Sequence, residues 1–67
     1  MGNIELAHNG KLYQADYFVD ENVVTVHGDS GQESTQLGGM SEPQVAKMLL
    51  RTLIRKGHIT SIGDAEA

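Results

Sequence analysis

The sequence contains no cysteine and no tryptophan, and only one of its 67 residues is a proline. Without cysteine, a disulfide framework, a thiolate zinc site and a cysteine nucleophile are all excluded. No apolar run is longer than that of Met48-Leu49-Leu50, far short of the ~20 residues that a membrane-spanning helix needs. The first residues also lack the basic segment and apolar stretch of a secretion signal. We therefore expect a cytoplasmic protein with no membrane partner.

Length and composition predict one small domain. Hydrophobic residues make up 39% of the chain, and the formal net charge is −4, which is typical of a globular protein rather than a disordered one. A chain of ~60 residues hides only about 60% of the surface that it exposes when unfolded. Because neither disulfides nor an evident metal cluster adds stability, self-association is expected.

Turn-forming residues divide the first forty positions into four short segments rich in β-branched and aromatic residues. The turn signals are Asn9-Gly10, Glu21-Asn22 and Ser30-Gly31, of which Asn-Gly is typical of a two-residue type I′ hairpin turn. The segments between them predict strands at about residues 3–8, 11–19, 23–28 and 32–37.

The three turns also predict how the strands pair. They place Leu6 opposite Tyr13, Val19 opposite Val24, and Val26 opposite Thr35. All three pairings turn one set of residues toward the core, which agrees with the alternation of side chains along a strand. The set is Ile4, Leu6, Tyr13, Ala15, Tyr17, Val19, Val24, Val26 and Leu37.

A helix is predicted from about residue 42 to 56. Ser41 and Gln44 have the spacing of a capping box, and Gly57 stands where a left-handed C-terminal cap is expected. The predicted fold class is α+β, a four-stranded antiparallel meander with one C-terminal helix packed on one face. Residues 1–67 form a single domain in which 1–40 make the sheet, 41–57 the helix, and 58–67 a partly frayed tail.

One group of polar residues resembles catalytic machinery. The predicted pairing aligns Asp16 with His27 and His27 with Ser34 on the outward face of the sheet, which are the residue types of a hydrolase triad. A flat sheet face provides neither an oxyanion hole nor a pocket that excludes water, and polar residues are ordinary on such a face. We therefore predict no catalytic residues and no enzyme activity.

Metal and cofactor sites are not predicted either. The three histidines (His8, His27 and His58) do not stand at the spacings of zinc ligands. The segment from Gly38 to Ser41 leads into a helix N-terminus, as phosphate-binding loops do, but it lacks the Gly-Lys-Ser/Thr pattern. We interpret it as a connector.

Charge is distributed unevenly along the chain. Residues 1–40 carry six acidic residues and one basic residue, whereas residues 41–57 carry four basic residues and one acidic residue. Lys47, Arg51 and Arg55 follow one another at intervals of four and so form a basic ridge on the predicted helix. Such a ridge suits either a solvated helix face or contact with a nucleic-acid backbone.

The helix also has a wide apolar face, which extends to Leu50 and Ile54. On the outward face of the sheet, Leu12 and Phe18 are further apolar residues. Exposed apolar surface usually marks an interface, so these four residues are the predicted interface unless the tail covers the first pair.

In size and layout the chain resembles short bacterial proteins of unknown function that combine a strand meander with one C-terminal helix. The segment Ser41-Glu42-Pro43-Gln44-Val45-Ala46 is also similar to the capped helix that follows the strands of HicB-type antitoxins. Thr35-Gln36-Leu37-Gly38-Gly39 replaces the proline- and glycine-containing motif of that family. We expect a non-enzymatic interaction module that forms a homodimer or binds another protein. The alternative is a nucleic-acid-associated or regulatory, antitoxin-like protein that uses the basic ridge.

Overall fold

A computed structural model describes residues 2–65 and shows the predicted α+β fold, four antiparallel strands with one helix packed against them. The elements are β1 (Gly2–His8), β2 (Lys11–Asp20), β3 (Val23–His27), β4 (Gln32–Gln36), α1 (Glu42–Lys56) and β5 (Gly63–Asp64). The strands pair in the order β1-β2-β3-β4, and the short β5 joins β2. Within residues 2–65, the helix is too short to cross a membrane.

The first two hairpins have the predicted pairing. Asn9 and Gly10 both have positive φ, at 53° and 77°, and so do Glu21 and Asn22, at 50° and 65°. Two successive residues with positive φ are the geometry of a type I′ turn. Leu6 accordingly lies opposite Tyr13, and Val19 lies opposite Val24.

The third hairpin differs from the prediction by two residues. Val26 lies opposite Glu33, not Thr35, because the turn is centred on Asp29 and Ser30. The loop from Gly28 to Gly31 is closed by the Gly28 N–H, which donates to the Gly31 carbonyl at 2.7 Å.

The loop takes this position because the segment after the helix is bound to it. The backbone N–H groups of Asp29 and Ser30 both donate to the carbonyl oxygen of His58, at 2.7 and 3.0 Å. The backbone N–H of Thr60 donates to the Asp29 carboxylate at 2.8 Å, and the Thr60 hydroxyl donates to the same oxygen. We call these four residues the tail clasp. It fixes the centre of the β3–β4 turn and therefore the register of β4.

The shift of two residues leaves the predicted inward face intact, because side chains alternate with a period of two. Val24 and Val26 are fully buried, and all nine predicted residues lie in the core or pack against it. The shift places Glu33, on the inner face of β4, opposite Val26. There its carboxylate accepts from the Lys56 ammonium at 2.7 Å, which ties the edge strand to the last turn of α1.

Both ends of α1 are capped as predicted. The Gln44 N–H donates to the Ser41 hydroxyl at 3.4 Å, while the Ser41 N–H donates to the Gln44 side chain at 3.1 Å. Gly57 has φ 75° and ends the helix. The apolar stripe of α1 lies on the inner face of the sheet, and its buried residues are Val45, Ala46, Leu49, Leu50 and Leu53.

The tail is more ordered than predicted. Fraying was expected from Gly63, but Gly63 and Asp64 pair with Leu12 and Lys11 as β5. The Ile62 N–H also donates to the Leu12 carbonyl at 2.8 Å. β3 pairs only with residues 17–20 of β2, so these hydrogen bonds pair the other end of β2, at Lys11 and Leu12. The predicted fraying of residues 66–67 lies outside the described residues.

We predict that Val26→Ala lowers the free energy of unfolding by about 1–3 kcal/mol, because it leaves a cavity between the sheet and α1. Val23→Ala on the same strand is the matched control, since Val23 is half-buried on the opposite face. Urea denaturation measures both changes. An equal loss in the two variants would contradict the observed orientation of β3.

A second prediction concerns Gly28. A Cβ atom at this position would lie 2.6 Å from the His58 carbonyl oxygen, so Gly28→Ala should cost about 1–3 kcal/mol through overpacking of the clasp. Gly39→Ala is the control, because a Cβ there meets nothing within 4 Å. Thermal denaturation compares the two variants. Similar melting temperatures would show that the clasp does not constrain the loop.

Candidate functional site

The outward side of α1 carries a groove of about 280 Å³. Its helical residues recur at intervals of three and four, so they form one stripe on the side of the helix away from the sheet. The turn after β4, in which Gly38 has φ 63°, brings a methionine from before the helix to the same stripe. We call this the helix groove; it is lined by Met40, Gln44, Lys47, Met48 and Arg51.

Two features distinguish the helix groove from an ordinary solvated helix face. Met40 and Met48 are 44% and 43% exposed, so the groove presents apolar side chains to solvent. Within residues 2–65, neither Lys47 nor Arg51 forms an ion pair; the pairs there are Lys11–Asp64 and Lys56–Glu33. The groove therefore offers apolar surface beside cations that lack a carboxylate partner in the described chain.

All three residues of the predicted basic ridge are exposed and point away from the sheet. Lys47 and Arg51 line the helix groove. Arg55 lies one turn further along and donates to the Thr52 hydroxyl at 3.4 Å. The ridge thus continues the positive side of the groove toward the C-terminus of the helix.

The predicted interface residues do not form one surface. Leu50 is 0% exposed within the single chain and belongs to the core cluster, so it presents no surface to an interface. Ile54 is partly buried and packs against the same core. Leu12 is half-buried on β2. Phe18 alone of the four is largely accessible, at 41% exposure, and it lies on the sheet face opposite the helix.

The predicted alignment of Asp16 with His27 is consistent with the register of β2 and β3, whereas the alignment of His27 with Ser34 is wrong. The shift of β4 places Ser34 opposite Thr25, and the two hydroxyl oxygens are hydrogen-bonded at 2.8 Å. The Asp16 carboxylate accepts from the Asn3 side-chain amide at 3.0 Å. All three residues are exposed as expected, but Ser34 does not lie beside His27.

His27 contacts an aromatic ring. Its imidazole meets the Phe18 ring edge-on, with centroids 5.3 Å apart and an interplanar angle of 79°. This is a favourable geometry for two aromatic rings. It restricts the Phe18 side chain on the outward sheet face.

The tail clasp is the cluster of chemistry-bearing residues that the sequence did not predict. The Ser30 hydroxyl lies 3.1 Å from Nδ1 of His58, and Asp29 is adjacent. The nearest backbone donors, the N–H groups of Asp29 and Ser30, are already bonded to the His58 carbonyl. They therefore cannot stabilise an oxyanion, and the geometry supports a structural role. The turn at residues 29–31 was recognisable in the sequence, but no local pattern links it to residue 58.

The described residues do not bring metal ligands together: within 2–65, no group of three or more histidine, aspartate or glutamate side chains could hold an ion. His8 is at the end of β1, His27 at the end of β3, and His58 in the clasp.

The clasp changes the acidity of one of its members. The pKa of Asp29 is lowered from its ordinary value of 3.8, first because the Thr60 hydroxyl donates to the carboxylate and second because the Thr60 backbone N–H does so. Desolvation opposes this shift. Both hydrogen bonds favour the charged carboxylate, so the ionised form of Asp29 stabilises the clasp.

The chain matches none of the protein-family models, curated proteins or solved structures with which it was compared. This agrees with the sequence, in which no characterised family was recognised. Its description therefore rests on its fold, a strand meander with one C-terminal helix, and on the surfaces that this fold exposes.

We predict that acid weakens the clasp. Because the pKa of Asp29 is lower in the folded protein, its contribution to stability is complete above pH 3.8 and is lost as the pH falls through the folded value. Asp29→Asn should therefore destabilise the protein at neutral pH and progressively less at more acidic pH. Urea denaturation across this pH range measures the difference.

Asp20→Asn is the control for this experiment, because within residues 2–65 the Asp20 side chain has no hydrogen bond or ion pair comparable to those of Asp29. A stability difference between wild type and Asp29→Asn that stays constant with pH would show that the Thr60 contacts do not depend on charge.

Proposed function

We propose that this protein is a non-enzymatic interaction module that binds an acidic partner protein through the helix groove. The observation that carries the proposal is the pair of exposed methionines, Met40 and Met48, beside Lys47 and Arg51, which have no ion-pair partner within residues 2–65. Surfaces of this kind combine an apolar contact with charge selection of the partner.

The chemistry of the groove indicates what would fit it. Methionine side chains are flexible and polarisable, so they adapt to an apolar or aromatic side chain of the partner. The neighbouring ammonium and guanidinium groups attract carboxylates on either side of that residue. The preferred ligand is therefore a segment with one large apolar residue flanked by acidic residues.

The second candidate is contact with a nucleic-acid backbone, as in the antitoxin-like alternative. The observation in its favour is that Lys47, Arg51 and Arg55 are exposed along one line, because a line of cations can follow a phosphate backbone. The net charge of −4 for the whole chain disfavours nucleic acid more than an acidic protein segment, since long-range repulsion acts most strongly on a polyanion.

Self-association and a cytoplasmic location also stay predictions. The buried position of Leu50 removes one support for the expected homodimer, whereas the exposed Phe18 retains another.

The proposal is tested with a fluorescein-labelled peptide that carries one phenylalanine between two aspartates, and with a labelled DNA duplex as the second ligand. Fluorescence anisotropy measures both affinities. Lys47→Gln/Arg51→Gln should weaken peptide binding by about threefold to tenfold, as expected for the loss of two exposed charge pairs. Met48→Gln should also weaken it, because the apolar contact is lost.

Lys11→Gln is a control for the loss of one positive charge elsewhere on the surface, and it should leave peptide binding unchanged. If DNA binds instead, Met48→Gln should have no effect, and each lost cation of the ridge should reduce the log–log salt slope by about one. Binding of neither ligand by the wild-type protein would overturn both candidates.

A further inference from the structure

We infer that the partner of the helix groove is a second copy of this chain, which inserts the Phe18 region of its sheet. This inference rests on the function proposed above and identifies the ligand. Four observations carry it: the charge of the open sheet face, the residues that flank Phe18, the spacing of charges on the two surfaces, and the orientation of the Phe18 ring.

The first observation is that the sheet face opposite the helix is negative. No element packs on this face within residues 2–65, and we call it the open sheet face. Its acidic residues are Glu5, Asp16 and Asp20, and the alternation of the strands places no lysine or arginine of β1–β4 there. The open sheet face and the helix groove are therefore complementary in charge.

The second observation is the pattern on β2. Asp16, Phe18 and Asp20 are alternate residues of one strand, so they point to the same side. All three are exposed, and Phe18 is 41% accessible. This gives one large apolar residue between two carboxylates, the arrangement that the chemistry of the helix groove selects.

The third observation is a match of lengths. Asp16 and Asp20 are four residues apart on a strand, or about 13 Å. Lys47 and Arg55 are eight residues apart on a helix, or about 12 Å. With β2 of one copy lying along α1 of the other, both carboxylates reach cations while Phe18 lies near Met48 and Arg51. A methionine sulfur and a guanidinium are both favourable neighbours of an aromatic ring.

The fourth observation is that Phe18 is already oriented. Its ring lies edge-on to His27 within the same chain, at a centroid distance of 5.3 Å. A side chain that is held before binding loses less conformational entropy when it binds.

The geometry also determines the form of the assembly. The helix groove and the open sheet face are on opposite sides of the molecule, so two copies cannot satisfy both surfaces in one closed dimer. Each added copy leaves a groove at one end and a sheet face at the other, which is a heterologous contact that produces open chains or a ring. Head-to-tail assembly thus replaces the closed homodimer expected from the sequence.

Sedimentation velocity of the wild-type protein over a concentration series is the first test. The weight-average mass should rise with concentration and fall when salt is added, because exposed charge pairs are screened. Two variants then each weaken one of the two surfaces. Lys47→Gln/Arg51→Gln alters the helix groove, and Asp16→Asn/Asp20→Asn alters the open sheet face. Each should raise the dissociation constant for self-association by about threefold to tenfold.

Mixing the two variants is the decisive experiment. Each retains the surface that the other has weakened, so at a concentration where neither variant associates alone, an equimolar mixture should form a 1:1 heterodimer. Glu21→Gln/Asp64→Asn is the matched control, because it makes the same change in net charge while Glu21 lies in the β2–β3 turn and Asp64 pairs with Lys11, and it should associate like wild type. The formation of the heterodimer also shows that both variants are folded.

Several results would overturn the inference: a wild-type protein that stays monomeric throughout the series, a mixture without heterodimer, or a control pair that loses association equally. A monomeric protein that still binds the acidic phenylalanine peptide in its groove would refute self-recognition and leave the proposed function standing. A monomer that binds no peptide would refute both.

Discussion

The carbonyl oxygen of His58 is the point on which much of this fold depends. It receives the N–H groups of Asp29 and Ser30 and so determines where the β3–β4 loop turns. That position sets which residue of β4 lies opposite each residue of β3, and the Glu33 carboxylate lies 2.7 Å from the Lys56 ammonium. A contact between the loop and the post-helix segment thus fixes an edge strand and, through it, the last turn of α1.

The helix groove and the open sheet face both result from the two-layer arrangement of helix on sheet. One helix covers one face of a four-stranded sheet, so the chain keeps an open sheet face and an outward helix face. In a chain of this size, neither surface is covered by another element of the described residues. Their opposite charge results from the division of acidic and basic residues between the strands and the helix. That polarity is the basis of the proposed recognition between copies and contributes nothing to the core.

Much of the fold could be predicted because its signals are local. The Asn9-Gly10 turn fixes the first hairpin, and Ser41 with Gln44 fixes the start of the helix, since each depends on neighbouring residues. The register of β4 could not be predicted in this way, because it depends on a hydrogen bond to residue 58. β5 was missed for a similar reason: two residues without apolar alternation pair with β2 only through tertiary contact. The basic ridge was visible as a spacing, whereas the groove also requires Met40, which the turn after β4 supplies.

Because the chain is synthesised from the N-terminus, the tail clasp also bears on the order in which parts of the fold form. The β3–β4 hairpin leaves the ribosome before residues 58–60, which hold its loop in place. Until those residues arrive, the Asp29 and Ser30 N–H groups lack their His58 acceptor, and a turn centre two residues away would also keep the apolar face inward. We expect the sheet to acquire its inner and outer faces before the segment after the helix docks and secures the alignment of β4.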